Sequence, residues 1–131
     1  MQRPVADLAD FIACFHYRSD RRDTWRLLRE PGPDGLFLGD CEDFALTVLW
    51  LMAGRSWLRL WWLVISFQAM IWNVRTAGGE AHAALWLRGH GWIDNIYPWW
   101  GECLPHRKRF PYLAPLLAAV LLVKRAPARL I

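Results

Sequence analysis

Cys41 stands among acids at the head of an apolar run: Gly39-Asp40-Cys41-Glu42-Asp43 leads into Phe44 to Met52, where almost every residue is apolar. Asp40 is placed to cap a helix, and Asp43, three residues on, to complete a capping box. Gly54 supplies the stop. The thiol then lies in a first helical turn, where free N–H groups and the helix dipole favour a thiolate. A cysteine nucleophile also needs a base and a group to orient that base. Downstream the candidates are His82, His90 and His106. His82 opens a strand directly after the Gly78-Gly79 turn, whereas His90 falls in a hairpin turn and His106 in the basic run His106-Arg107-Lys108-Arg109, both expected to be solvated. Asp94 lies on the strand after His82. A hairpin whose loop centres on Arg88, with Gly89 left-handed, pairs Trp86 with His90, Ala84 with Trp92 and His82 with Asp94, whereas the rival turn Gly89-His90-Gly91 sets Trp86 opposite Asp94 and separates the two side chains.

Helices and a sheet must hold these groups. Leu8, Phe11, Ile12 and Phe15, with Val5 before them, have helical spacing after Pro4 and Asp7, and a polar turn follows over residues 16–20. Residues 23–29 predict a second short helix burying Trp25, Leu27 and Leu28, and Pro31-Gly32-Pro33-Asp34-Gly35 is a loop. After the cysteine helix, residues 58–67 read as a central strand buried on both faces, rich in tryptophan, valine and isoleucine and without helix caps. Residues 70–74 extend the sheet. Residues 82–87 and 92–96 form the hairpin, and a closing apolar helix over about 111–124 is interrupted near Pro115. Helices first, then an antiparallel sheet, make one α+β domain over residues 1–131.

The chain has 131 residues, enough for a core of its own, and its ten tryptophans exceed what such a core can bury. Some are therefore expected at a surface, Trp99 and Trp100 lining a groove, with Trp61, Trp62 and Trp72 inside. The net charge of +4 is uneven, acids clustering before residue 44 and bases after 105. No zinc-finger spacing or phosphate-cradling glycine loop accompanies the bases, which argues against nucleic acid. Cys14, Cys41 and Cys103 are odd in number and far apart, which argues against a disulfide framework and suits a reducing compartment. Cys14 is expected in the core and Cys103 in a loop. Asp7 and Asp10 interrupt the apolar character of the N-terminus, so no secretory signal is read and a cytoplasmic location is expected. The apolar stretches 57–72 and 113–123 are read as core or interface, with a peripheral membrane contact as the other use of such a surface.

Gly39-Asp40-Cys41-Glu42-Asp43-Phe44-Ala45, His82-Ala83-Ala84-Leu85 and Ile93-Asp94-Asn95 together resemble the bacterial transglutaminase-like cysteine peptidases of the papain/transglutaminase superfamily. Phe15 to Asp20 and Trp25 echo that family's lead-in, and the resemblance spans residues 10–98. It implies a papain/transglutaminase-like core in which the cysteine-bearing helix packs on a small antiparallel sheet. It also implies that Cys41 is the nucleophile, His82 the general base and acid, and Asp94 the orienting carboxylate, with the Cys41 N–H in the oxyanion hole. The chain is shorter and richer in tryptophan than family members usually are, and its apolar tail has no counterpart. A compact form of this kind suits a cytoplasmic protein or a phage-encoded one, associated with the virion.

Three carboxylates around one thiol oppose its ionisation. Capping occupies Asp40 and Asp43, and Glu42 needs an arginine, with Arg18, Arg21 and Arg22 nearest, or a cation. Calcium takes oxygen ligands, and the resemblance extends a calcium role to Asp40 and Glu42 only; the chemistry itself requires no cofactor. The first expectation is therefore hydrolysis of an amide in a protein or peptide substrate through a thioester. The alternative is a tryptophan-rich assembly or membrane-associated module, such as a phage tail subunit, with a relic triad.

Overall fold

The computed structural model describes residues 7–19 and 25–124. Over these the chain is mixed α/β, with four helices and two small sheets. Asp7 caps α1 (Leu8–Cys14), its carboxylate accepting from the Asp10 N–H at 2.9 Å. Phe15, expected on that helix, instead opens β1 (Phe15–Tyr17), which pairs in parallel with β2 (Phe37–Gly39). Strands of three residues are too short to show an alternation in sequence. Pro4 and Val5, and Asp23 of the expected second helix, lie outside the described residues. Trp25 to Arg29 is not helical. Its backbone is claimed by α2 side chains: the Arg26 N–H donates to Asp43 Oδ1 at 2.7 Å and the Leu28 N–H to Thr47 Oγ1 at 3.0 Å. Trp25 is buried as expected, with its ring edge-on to Tyr112.

Helix α2 (Cys41–Met52) forms as its capping signals require, with both halves of the Asp40/Asp43 box present. Its end is a Schellman motif: Arg55 N–H donates to Trp50 O, Gly54 N–H to Leu51 O, and Gly54 takes φ +72°. Every residue from Asp43 to Trp50 is buried.

The segment after Gly54 corrects the sequence reading. Residues 58–67 are not a central strand; α3 (Trp57–Ile65) occupies them, capped by Ser56, whose hydroxyl accepts from the Arg59 N–H at 3.2 Å. The helix buries Leu60 and Val64 and leaves Leu58, Trp62 and Ile65 exposed. Its stop carries no glycine: Phe67 adopts the left-handed conformation at φ 60°, and Gln68 N–H returns to Leu63 O. Trp62, expected inside, is 62% exposed, while Trp61 and Trp72 are half-buried.

The central strand is β3 (Ala69–Arg75), in a four-stranded antiparallel sheet of order β5-β4-β3-β6, with β4 (Ala81–Leu87), β5 (Gly91–Ile93) and β6 (Arg107–Tyr112). The basic run expected to be a solvated loop is therefore an edge strand, where Pro111 costs no ladder bond to a further strand. One core cluster joins Phe44, Ala45 and Leu49 of α2 to Ile71, Leu85 and Ile93 of the sheet. Helix α4 (Ala114–Lys124) runs uninterrupted, because Pro115 falls in its first turn, where the missing N–H costs nothing. Leu117 and Leu121 bury its inner side. Among the described residues no single helix is long and apolar enough to cross a membrane.

Candidate active site

Gly39 sets the entry to α2 because nothing larger fits: a Cβ there would stand 2.8 Å from Asp43 Oδ2 and 3.0 Å from Leu28 Cδ1. Asp40 Oδ1 accepts from the N–H groups of Glu42 (3.1 Å) and Asp43 (3.0 Å), and Asp43 Oδ2 accepts from the Asp40 N–H at 3.2 Å. Arg26 adds its guanidinium, Nη2 lying 3.4 Å from Asp43 Oδ2. Burial is the largest influence on Asp43 and pushes it up to about 6, with Asp40 adding to the rise and the Arg26 N–H opposing it. These bonds hold Cys41 at the first position of the helix, half-buried, its thiol meeting the backbone of Ala83 on β4. His82 is the residue before that contact.

The thiol is not the preformed thiolate that its helix position predicts. Burial pushes it up to about 12, and Glu42 and Asp40 add to the rise. The backbone N–H groups of Ala83 and of Cys41 itself pull the other way without overcoming them. Two carboxylates and a dry setting outweigh a partial dipole charge.

The structure brings His82 and Asp94 together, though not in the expected register. Leu85 pairs with Ile93, Trp86 with Trp92 and Leu87 with Gly91. The loop is thus Arg88-Gly89-His90, with Gly89 at φ +84°, rather than one centred on Arg88. The expected pairings of Trp86 with His90 and Ala84 with Trp92 do not occur. Asp94 falls on the same face as His82, one diagonal step away, and β5 ends at Ile93, which frees it to turn. Ile96 and Tyr97 N–H groups then hold Asp94 Oδ1 at 2.8 and 2.7 Å, and His82 Nε2 lies 3.7 Å from the same oxygen. Both residues are buried.

His106, a candidate base that the sequence reading sets aside as solvated, belongs to the site. Its side chain is only 4% exposed, and its Nε2 lies 2.9 Å from Asp94 Oδ2. β5 and β6 are opposite edges of the sheet, so the segment between them must cross it to make this contact. A pair of bonds between Trp92 and Gly101, 2.7 and 2.9 Å, fastens that crossing. Gly91, at φ +103°, allows it: a Cβ there would run into the Gly101 carbonyl. Burial alone would raise Asp94, but His82, the Tyr97 N–H and His106 outweigh it and hold the carboxyl below its ordinary range. No local pattern marks His106, since it sits among bases that are themselves exposed.

His82, Asp94 and His106 offer ligand atoms within 4.8 Å of one another. Two imidazoles and a carboxylate suit zinc, which takes nitrogen ligands, more than calcium. Asp40 and Glu42, expected to hold calcium, do not belong to this group, and Asp40 Oδ1 already accepts two N–H groups. A cavity of about 220 Å³ opens on Asp94, lined also by Tyr97, Trp99 and Cys103. Trp99 therefore faces open space as expected, whereas Trp100 packs on the core. Cys14 packs on the core and Cys103 is exposed, and His90 is exposed. A scan against protein-family models and a search of curated proteins give no match to this chain.

Proposed function

We propose that the protein is a cysteine peptidase with a papain/transglutaminase-like core, in which Cys41 attacks an amide carbonyl, His82 moves the proton and Asp94 orients His82. The observation that carries this reading is the placement of a fixed, ionised Asp94 at Nε2 of His82, with the Cys41 thiol against the next residue of the same strand. With Nε2 turned to Asp94, Nδ1 is the nitrogen left to serve the thiol. Because the thiol rests protonated, its proton leaves as the bond to carbon forms: Sγ attacks the carbonyl carbon and Nδ1 takes the proton. The tetrahedral oxyanion meets the Cys41 N–H at the helix start. Collapse breaks the C–N bond, the amine leaves with the proton from His82, and a thioester remains. Water, deprotonated by His82, attacks the thioester and releases the acid and the free thiol. An amine in place of water makes the same site a transglutaminase.

The test is mass spectrometry of the protein after incubation with peptide substrates and an acid quench. An acyl adduct on Cys41, absent in Cys41→Ala, is expected; peptide cleavage that persists in Cys41→Ala would overturn the assignment. A second reading, an interaction module with an idle triad, draws on the exposed apolar side chains of Leu58, Trp62, Ile65 and Phe67 and of Leu122 and Val123 on α4. It predicts association of the protein with itself or with lipid vesicles and no adduct on Cys41.

A further inference from the structure

His106 also lines a larger cleft, of about 650 Å³, whose lining is cationic. Arg75, Arg107 and Arg109 line it together with Thr76, Pro105 and His106, and among the described residues no Asp or Glu does. Two features of the sheet put the arginines there. Arg75 and Arg107 are direct partners across β3 and β6, an arrangement of like charges that destabilises a sheet. Beside them the register slips: Asn73 pairs with Phe110 and Val74 with Lys108, so Arg109 is the extra residue of a β-bulge. A bulge turns its side chain out of the regular alternation, and here Arg109 joins the other two at one cleft. Arg75 gives one donor to the Gly79 carbonyl at 2.8 Å. Among the described residues none of the three has a carboxylate partner.

We propose that this cleft is a substrate subsite for carboxylate groups, so that the protein selects acidic peptides, an Asp or Glu side chain seating on Arg75, Arg107 and Arg109. An arginine fork matches a carboxylate in two parallel bonds, and an acidic ligand relieves the repulsion between Arg75 and Arg107. His106 joins the cleft to the reacting groups, since it lines the one and bonds Asp94 in the other. The selected acid therefore binds close to the bond that is cut. The inference rests on the peptidase reading for the reaction, but binding can be measured without it.

Fluorescein-labelled hexaglutamate, hexaasparagine and an eight-residue thymidine oligonucleotide are titrated with the full chain carrying Cys41→Ala, and binding is followed by anisotropy. Hexaglutamate should bind the tightest. Arg75→Gln with Arg107→Gln should weaken it by about tenfold or more, and Arg109→Gln, at an exposed bulge, gives the same direction if the double variant does not fold. Hexaglutamate binding no tighter than hexaasparagine, equal binding of the oligonucleotide, or arginine variants that bind as before would each overturn the proposal. Arginine-dependent hexaglutamate binding in a protein that cleaves no peptide would support the subsite while removing the peptidase reading.

Discussion

Nε2 of His106 lies 2.9 Å from Asp94 Oδ2, a bond between residues twelve apart, one just after β5 and the other just before β6, the opposite edges of one sheet. A carboxylate only accepts, so His106 donates here. The other oxygen, Oδ1, serves the Ile96 and Tyr97 N–H groups and faces His82 at 3.7 Å. Asp94 Oδ1 thus both takes the two backbone N–H groups and faces His82, while Oδ2 is held by His106.

In the proposed mechanism His106 is a positioning residue, and its loss should show in the pH profile. His106→Ala should lower peptide hydrolysis by about tenfold, with His106→Gln retaining more because its amide can still donate. His106 helps hold Asp94 ionised. Without it the Asp94 pKa rises, so the acid limb of the rate profile should move to higher pH. Profiles of wild type and both variants, with melting temperatures to show the fold intact, check this. An acid limb unmoved in His106→Ala would refute the role.

The triad variants should rank by function. Cys41→Ala and His82→Ala should abolish hydrolysis while circular dichroism stays native. Asp94→Asn keeps an acceptor for the Ile96 and Tyr97 N–H groups and should leave a residual rate, reduced by up to about 10⁴-fold, as when the orienting acid of a serine triad is replaced. Cys14→Ala should cost stability and leave the rate alone.

Thiol reactivity should follow the acids. The Cys41 thiol is pushed up to about 12, after burial, by Glu42 and Asp40. Glu42→Gln removes one negative charge, lowers the thiol pKa and should speed alkylation of Cys41 at neutral pH severalfold. Labelling across pH, with Cys14 and Cys103 as internal references, measures it. A rate that falls in Glu42→Gln would mean that Glu42 assists the thiol.

Stability should reveal the capping box. Gly39→Val places side-chain atoms against Asp43 and Leu28 and should cost about 1–3 kcal/mol, as overpacking does. Asp43 has a folded pKa above its unfolded value, so folding takes up a proton between about pH 4 and 6. Its contribution is fully present below pH 4 and declines as pH rises through 6. The melting-temperature gap between wild type and Asp43→Asn should therefore change in that direction between pH 4 and 6.5. A gap constant over this window would mean that Asp43 is ionised throughout.

Metal should act at the imidazoles. Zinc bound by His82, Asp94 and His106 should raise the melting temperature, since it binds only the folded chain, and stop hydrolysis by taking the base. A chelator should reverse both, and His106→Ala should weaken the thermal shift. A rise with calcium that disappears in Glu42→Gln would place the metal at Asp40 and Glu42 instead.

The sequence by itself determined what its local chemistry can state. Asp40 and Asp43 flanking Cys41 specify a capped helix, because N-cap and N3 are three residues apart in any context. Gly54 specifies its end, and the Gly78-Gly79 turn the start of a strand over residues 82–87 whose His82 is paired by a hairpin with the segment that carries Asp94. Where the signal was weak, packing decided. Residues 57–65 carry strand-forming side chains yet coil into α3, capped by Ser56 and stopped by Phe67 in a conformation that only glycine would have advertised. Residues 26 and 28 gave their N–H groups to Asp43 and Thr47 rather than to a helix of their own. The hairpin turned around Gly89, one residue on from the expected centre, and the departure of the chain after Ile93 brought Asp94 back to His82. Only the tertiary structure could place His106 at Asp94 and gather the three arginines at one cleft, because a segment crossing the sheet from one edge to the other joins residues that no sequence spacing relates.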